Sequence, residues 1–238
     1  MDMWPLVLGL GLIAGVVTTM VGMGGGLLLV VGLTFLWDPR MALAVTAVPL
    51  LIGNVHRVWL FREDLSRRHA MLFAAGAMPA ALIGGACITT IPDWGIKGLV
   101  AVMTLLALAK ATGRWKREVP TSAMLPGGAV VGALTATAGG GGILTAPLLM
   151  SAGLTGTRYL ATASAAAAAS HLARLFGYAT TGIVDGALIV LSLATAVFIV
   201  LGNRLGKRAR SRLGDERAHR LQVAVLAVLA VVSLTGLR

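Results

Sequence analysis

The chain has 238 residues, 57% of them hydrophobic and only 12% charged, whereas a soluble domain carries about 25% charge. Apolar runs recur along the whole length without alternating, which excludes a soluble domain and a β-barrel and leaves an α-helical, polytopic membrane protein. The net charge of +11 lies in loops, with no basic soluble domain to hold nucleic acid, so it reads as membrane orientation and attraction to anionic lipid.

The first apolar segment, 4–36, is too long for one ordinary crossing of about 20 residues. It opens with Asp2 and no basic cluster, unlike a cleavable signal peptide. Within it stands "VGMGGGLLLV", residues 21–30. A helix over 41–61 carries Thr46, Pro49, Asn54, His56 and Arg57. Helices over 69–91 and 95–112 follow; Cys87, the single cysteine, excludes an internal disulfide and reads as a small packing residue. The segment 122–153 is again overlong and is broken by "TAGGGGILTA", residues 137–146. A helix over 157–178 carries Thr162, Ser164, Ser170, His171 and Arg174, and its run "ATASAAAAAS" permits close helix approach. Helices over 183–202 and 221–237 complete the chain.

The order of a long broken segment and three spans occurs twice, so the chain reads as a duplication with halves 1–119 and 120–238. The basic loops are 62–69, 113–118 and 203–220. If each overlong segment crossed once, 203–220 would face the side opposite the other two, against the positive-inside rule. If each goes in and comes back as two short helices meeting at the glycines, all three basic loops face the cytoplasm. Asp2, Asp93 and Asp185 then face the other side. Each half makes an odd number of crossings, so the two are inverted repeats. Both termini fall outside, with Arg238 a single charge against the rule.

A broken helix at membrane depth is tolerated only inside protein or against a water-filled cavity. Paired breaks in corresponding places of two halves point to a transporter's binding site. The bare amides and positive dipole end of a helix restarting after the break suit an anion. The expected substrate contacts are Gly22, Gly24, Gly25, Gly26 and Thr19 at the first break, and Gly139, Gly140, Gly141, Gly142 and Thr137 at the second. Thr18, Thr135 and Thr145 lie close by. Thr46, Asn54, Ser164 and His171 add polar groups at membrane depth. His56, Arg57 and Arg174 are cationic groups fitted to guide an anion or couple its movement. Packing by small residues competes for the glycines, and snorkelling to the interface competes for Arg57 and Arg174. No Asp or Glu lies inside an apolar segment, so no metal site is expected and an anion is favoured over a cation.

"GMGGGLLLV" with "ALAVTAVPLLIGNVHRVWLF", and "AGGGGILTAPLLMSAGLTGTRYLATASAAAAASHLARLFGYATTGIVD", resemble the TauE/SafE family of sulfite and organosulfonate exporters, also called TSUP or DUF81 permeases. The likeness covers nearly the whole chain. The first half departs from the pattern: Val31 stands where the second half has Pro147, and "FREDLS" replaces a "GxVD" ending. The resemblance implies a secondary carrier for small sulfur-containing anions.

The resulting expectation is an all-α polytopic protein of two inverted repeats, each a glycine-broken hairpin plus three transmembrane helices, in a bacterial inner membrane. It transports a small anion, sulfite or an organosulfonate, by alternating access, and is not an enzyme. Its expected partners are the anion, a coupling proton or Na⁺, the lipid bilayer and a second copy in a homodimer; no cofactor and no nucleic acid are expected. Two alternatives stay open, an anion channel and an intramembrane hydrolase using Ser164 or Ser170 with His171. Against the latter, Ser170 and His171 point about 100° apart on a helix, Ser164 and His171 are two turns apart, and no nucleophile motif is present, while the missing P-loop argues against ATP-driven transport by this chain alone.

Overall fold

Gly22 takes a left-handed conformation (φ 90°) and ends the first helix, its N–H bonding back to Thr18 O at 2.8 Å. Gly24, also at φ 90°, starts the second. Only glycine adopts these angles without strain, so the break observed in the computed structural model is written at these two residues. The structure describes residues 3–111, 120–139, 141–183, 186–213, 216–217, 220–221, 223–225, 227–228 and 231. Gly140, the loop 113–118 and most of the segment 221–237 lie outside them.

The described residues form nine α-helices and no strand: α1 (Trp4–Val21), α2 (Gly25–Leu33), α3 (Pro39–Leu60), α4 (Arg67–Ala86), α5 (Asp93–Ala111), α6 (Met124–Ala138), α7 (Gly142–Ser151), α8 (Gly156–Ala179) and α9 (Gly186–Arg210). Asp38 caps α3 by accepting from the N–H groups of Arg40 and Met41 at 3.0 Å, and Pro39 occupies the first turn, where a missing N–H costs nothing. Among the described helices, α1, α3, α4 and α9 are each long and apolar enough to cross a membrane. Large apolar side chains such as Met71, Ile83, Trp94, Phe176 and Val197 lie on the outside. Lipid accepts such a surface; water would not.

α2 folds back along α1, since a Cβ on Gly25 would run into Ala14 O and Thr18 Oγ1, while Gly32 faces the Leu10 side chain. α7 folds back along α6 in the same manner, Gly141 lying against Thr135 and Gly127 against Leu148. Each pair is therefore an antiparallel hairpin with its tip at the glycines.

Close backbone approach joins the remaining helices. α1 meets α9 where Gly15 and Gly202 face each other, and α6 meets α4 where Gly128 and Gly132 run against the backbones of Phe73 and Ala77. α8 meets α4 at Gly177 and Gly85. Without a hydrophobic force between helices in lipid, such close contacts supply the association. α3 packs on α9, α8 packs on α4, and α3 and α8 pack on each other at the centre.

Two local features differ from the sequence reading. α9 continues to Arg210, so Arg204, Lys207, Arg208 and Arg210 are helical, although the sequence places them in a loop. Cations in a last turn complement the helix dipole, and Lys207 and Arg210 donate to Leu60 O at 3.1 Å and Met20 O at 2.6 Å. Cys87, expected in packing, is exposed at the C-terminal end of α4.

Candidate functional site

The two hairpin tips approach each other. A Cβ on Gly26 would lie 4.0 Å from Gly139 O, and one on Gly139 would crowd the Val30 and Leu43 side chains. Beside the tips is a cavity of about 50 Å³, floored by Gly22, Gly24 and Gly26 from the first break and Gly139 and Gly142 from the second. Space for a water is about 10–15 Å³ on this measure, so the cavity has room for a few waters or a small oxyanion. The start of α2 and the start of α7 both reach it. Two helix N-termini thus bring their positive ends to one place.

α3 and α8 form the opposite wall. From α3 come Leu50, Asn54 and Arg57, spaced i, i+4, i+7; from α8 come Ala163, Ser164, Ala167, Ser170 and His171. Both sets occupy one helical face. Arg57 is 6% exposed; its Nε donates to Ser164 Oγ at 3.1 Å and its Nη2 donates to Asn54 Oδ1. Asn54 is held in turn by its own amide, which donates to Leu50 O at 2.7 Å. These bonds orient the guanidinium and leave further N–H donors for a ligand.

Arg174 is fully buried behind the cavity. Its Nη1 donates to Thr135 O at 3.1 Å, its Nη2 to Thr46 Oγ1 at 3.3 Å, and its guanidinium carbon sits 5.7 Å from the centre of the Tyr178 ring. Its Nε has no partner. Among the described residues neither arginine meets a carboxylate, the ion pairs being Arg40–Asp93 and Arg220–Glu216. A buried charge without a counterion is costly, by several kcal/mol per ion. Interior arginines without acids therefore suit a bound anion.

Several residues marked in the sequence are engaged with other parts of the protein, some of them away from the cavity. Gly25 and Gly141 face the first arm of their own hairpins and shape the fold-back. Thr19 donates to Asn203 Oδ1 at 2.9 Å, and Asn203 Nδ2 donates to Gly53 O at 2.8 Å and to His56 Nδ1 at 3.3 Å. Asn203 thus ties α1 and α3 to α9, and His56, stacked on Trp59, belongs to that tie. Thr137 donates to its own helix at Ala133 O. Thr46 is the acceptor for Arg174. Ser170 donates to Ala166 O at 3.0 Å and Ser164 is engaged by Arg57. His171 Nδ1, by contrast, is buried without a partner. No group of three or more metal-ligating side chains occurs among the described residues.

The sequence reading passed over Tyr159 and Tyr178. Both are on α8, and they are the only tyrosines in the chain. Tyr159 donates to Gly22 O at 2.9 Å and Tyr178 donates to Ala136 O, so each secures the end of one first arm. Two lone phenols on the helix that faces both breaks were the available signal.

A family model described as "Sulfite exporter TauE/SafE" matches residues 7–235, nearly the entire chain. The protein belongs to the TauE/SafE family. No curated protein and no solved structure matches it. Family membership and the apolar helices make the chain a multi-pass membrane protein of a transporter family.

Proposed function

We propose that this protein is a secondary transporter for a small oxyanion, sulfite or an organosulfonate, bound in the cavity between the two glycine breaks. The observation that carries the reading is Arg57: a buried cation that lines a cavity at two helix N-termini, with no acid among the described residues to neutralise it. Asn54 and Ser164 orient Arg57, and the amides around Gly24–Gly26 and Gly142 complete an anion-binding shell. The family name supports a sulfur oxyanion.

The mechanism we propose is alternating access by inverted repeats, 1–119 and 120–238. The packing pattern supports it: α1 on α9 is matched by α6 on α4, α3 on α9 by α8 on α4, and α3 and α8 pair with each other. Because α4 and α9 each pack on the other repeat, the bodies that would rock are α1, α2, α3 and α9 against α4, α6, α7 and α8, and movement at the α3–α8 seam would open the cavity to each side in turn. In this reading the basic segments around 62–69, 113–118 and 203–220 face the cytoplasm of a bacterial cell, and the protein sits in the inner membrane.

Counterflow in proteoliposomes tests it. Vesicles loaded with unlabelled sulfite or sulfoacetate should take up labelled anion transiently above equilibrium, and Arg57→Gln should abolish the overshoot. Flux without saturation or overshoot would mark a channel, and no flux of any oxyanion would refute the assignment.

A further inference from the structure

Among the described side chains lining the cavity, only His171 titrates near neutral pH in its ordinary form. It is 5% exposed, and its Nδ1 has no hydrogen-bond partner. The charged groups within reach are Arg57 on α3 and Arg174 nearly one turn further along α8. The turn Arg62–Asp64 also packs on α8, with Arg62, Glu63 and Asp64, but the chain there meets α8 at Thr162, where Ser66 N–H donates to the hydroxyl, about two and a half turns from His171. α6 and α7 carry no titratable side chain, and the charged or titratable residues of α4, Arg67, Arg68 and His69, stand at its first turn. His69 is occupied there with Ser66 and Thr121. His56, adjacent to Arg57, is turned to Asn203 and Trp59. Tyr159 and Tyr178 are committed to backbone carbonyls.

A proton on His171 in the empty cavity would place a third positive charge beside two guanidiniums with no carboxylate among the described residues to offset it. An oxyanion bound at Arg57 removes that opposition, and a protonated ring offers it one more donor. We propose that His171 takes up a proton from the facing solution when an oxyanion binds beside Arg57, so that proton and anion cross the membrane together. The proposal rests on the transporter reading above and gives it a coupling ion and a carrier for that ion. Linkage is reciprocal: the anion tightens proton binding and lower pH tightens anion binding by the same factor. Net flow then follows the combined gradients of anion and proton.

The test is proton uptake by purified protein in weakly buffered detergent. The probe is whichever of sulfoacetate, methanesulfonate and sulfate raises the melting temperature most; none of these changes charge near neutrality. Wild type should take up about one proton per bound anion, and affinity should fall by up to about tenfold per pH unit on the alkaline side. His171→Gln should still show a thermal shift, reduced at neutral pH because the ring's donor is lost, but take up no proton, and its affinity should lose the pH dependence. His69→Gln should behave as wild type. If no anion shifts the melting temperature, the transporter reading itself fails. If an anion binds to wild type without proton uptake, or if His171→Gln retains uptake, the coupling proposal is overturned and the anion site stands. Should His171→Gln not fold, ¹⁵N-histidine spectra of wild type, His56→Gln, His69→Gln and His219→Gln decide. The ring signal that titrates on anion addition must survive in all three variants, and its disappearance from any one of them overturns the proposal.

Discussion

The guanidinium of Arg57 crosses from α3 to the hydroxyl of Ser164 on α8 at 3.1 Å. The reverse link exists too: Arg174 on α8 reaches the hydroxyl of Thr46 on α3 at 3.3 Å. Each of the two central helices therefore sends one arginine into the other, and only Arg57 lines the cavity. The two cations are held by neutral oxygens, which orient them without cancelling their charge.

Replacing Arg57 should separate binding from folding. A hydrogen bond to a charged group contributes about 1.5–3 kcal/mol, so Arg57→Gln is expected to weaken oxyanion affinity by about tenfold to a hundredfold. Arg57→Lys keeps the charge but loses the planar fork that joins Ser164 and Asn54, and should recover only part of the affinity. Thermal-shift titration with each variant gives the comparison.

The glycines divide into two experimental classes. A Cβ on Gly142 meets nothing within 4 Å and Gly142 lines the cavity, so Gly142→Leu should yield stable protein that no longer transports. On Gly25 even a methyl group runs into Ala14 O and Thr18 Oγ1, so Gly25→Ala should lower the melting temperature and the yield. Size-exclusion profiles and melting curves distinguish the classes. Equal behaviour of the two variants would argue against the placement of the breaks.

Tyr159→Phe removes one hydrogen bond to Gly22 O and little else. The expected loss is about 0.5–1.5 kcal/mol, with a further penalty if Gly22 O is left dry. Denaturation in detergent measures it.

The ion pair between Arg40 and Asp93 spans 3.3 Å at the ends of α3 and α5, with both side chains substantially exposed. Exposed pairs contribute about 0–1 kcal/mol, so Asp93→Asn should leave both melting temperature and flux close to wild type. A large loss of flux would assign this pair a part in gating.

The breaks were legible because glycine clusters are rare signals in overlong apolar runs, and Gly22, Gly24 and Gly139 are left-handed where the sequence places the interruptions. The polar positions on α3 and α8 were legible as membrane-depth residues. Their partners were not. The link from Thr19 to Asn203 spans 184 residues, and which face of α1 meets α9 is decided by Gly15 and Gly202 in three dimensions. Helical spacing does encode the wall formed by Leu50, Asn54 and Arg57, but apolar members such as Leu50 look like any other core residue until the hairpin tips are in place. The extent of α9 was hidden because basic residues read as loop by composition, while the carbonyls of Met20 and Leu60 that receive Arg210 and Lys207 come from distant segments.

The most direct measurement is anomalous diffraction from crystals of the protein soaked in selenate, a heavy tetrahedral oxyanion. The expected result is a peak within hydrogen-bonding distance of Arg57, between the amides of Gly24–Gly26 and Gly142, that vanishes in Arg57→Gln crystals. A fully occupied anion found only at the outer basic surface, with a dry gap between the hairpin tips, would contradict an anion site at the paired breaks.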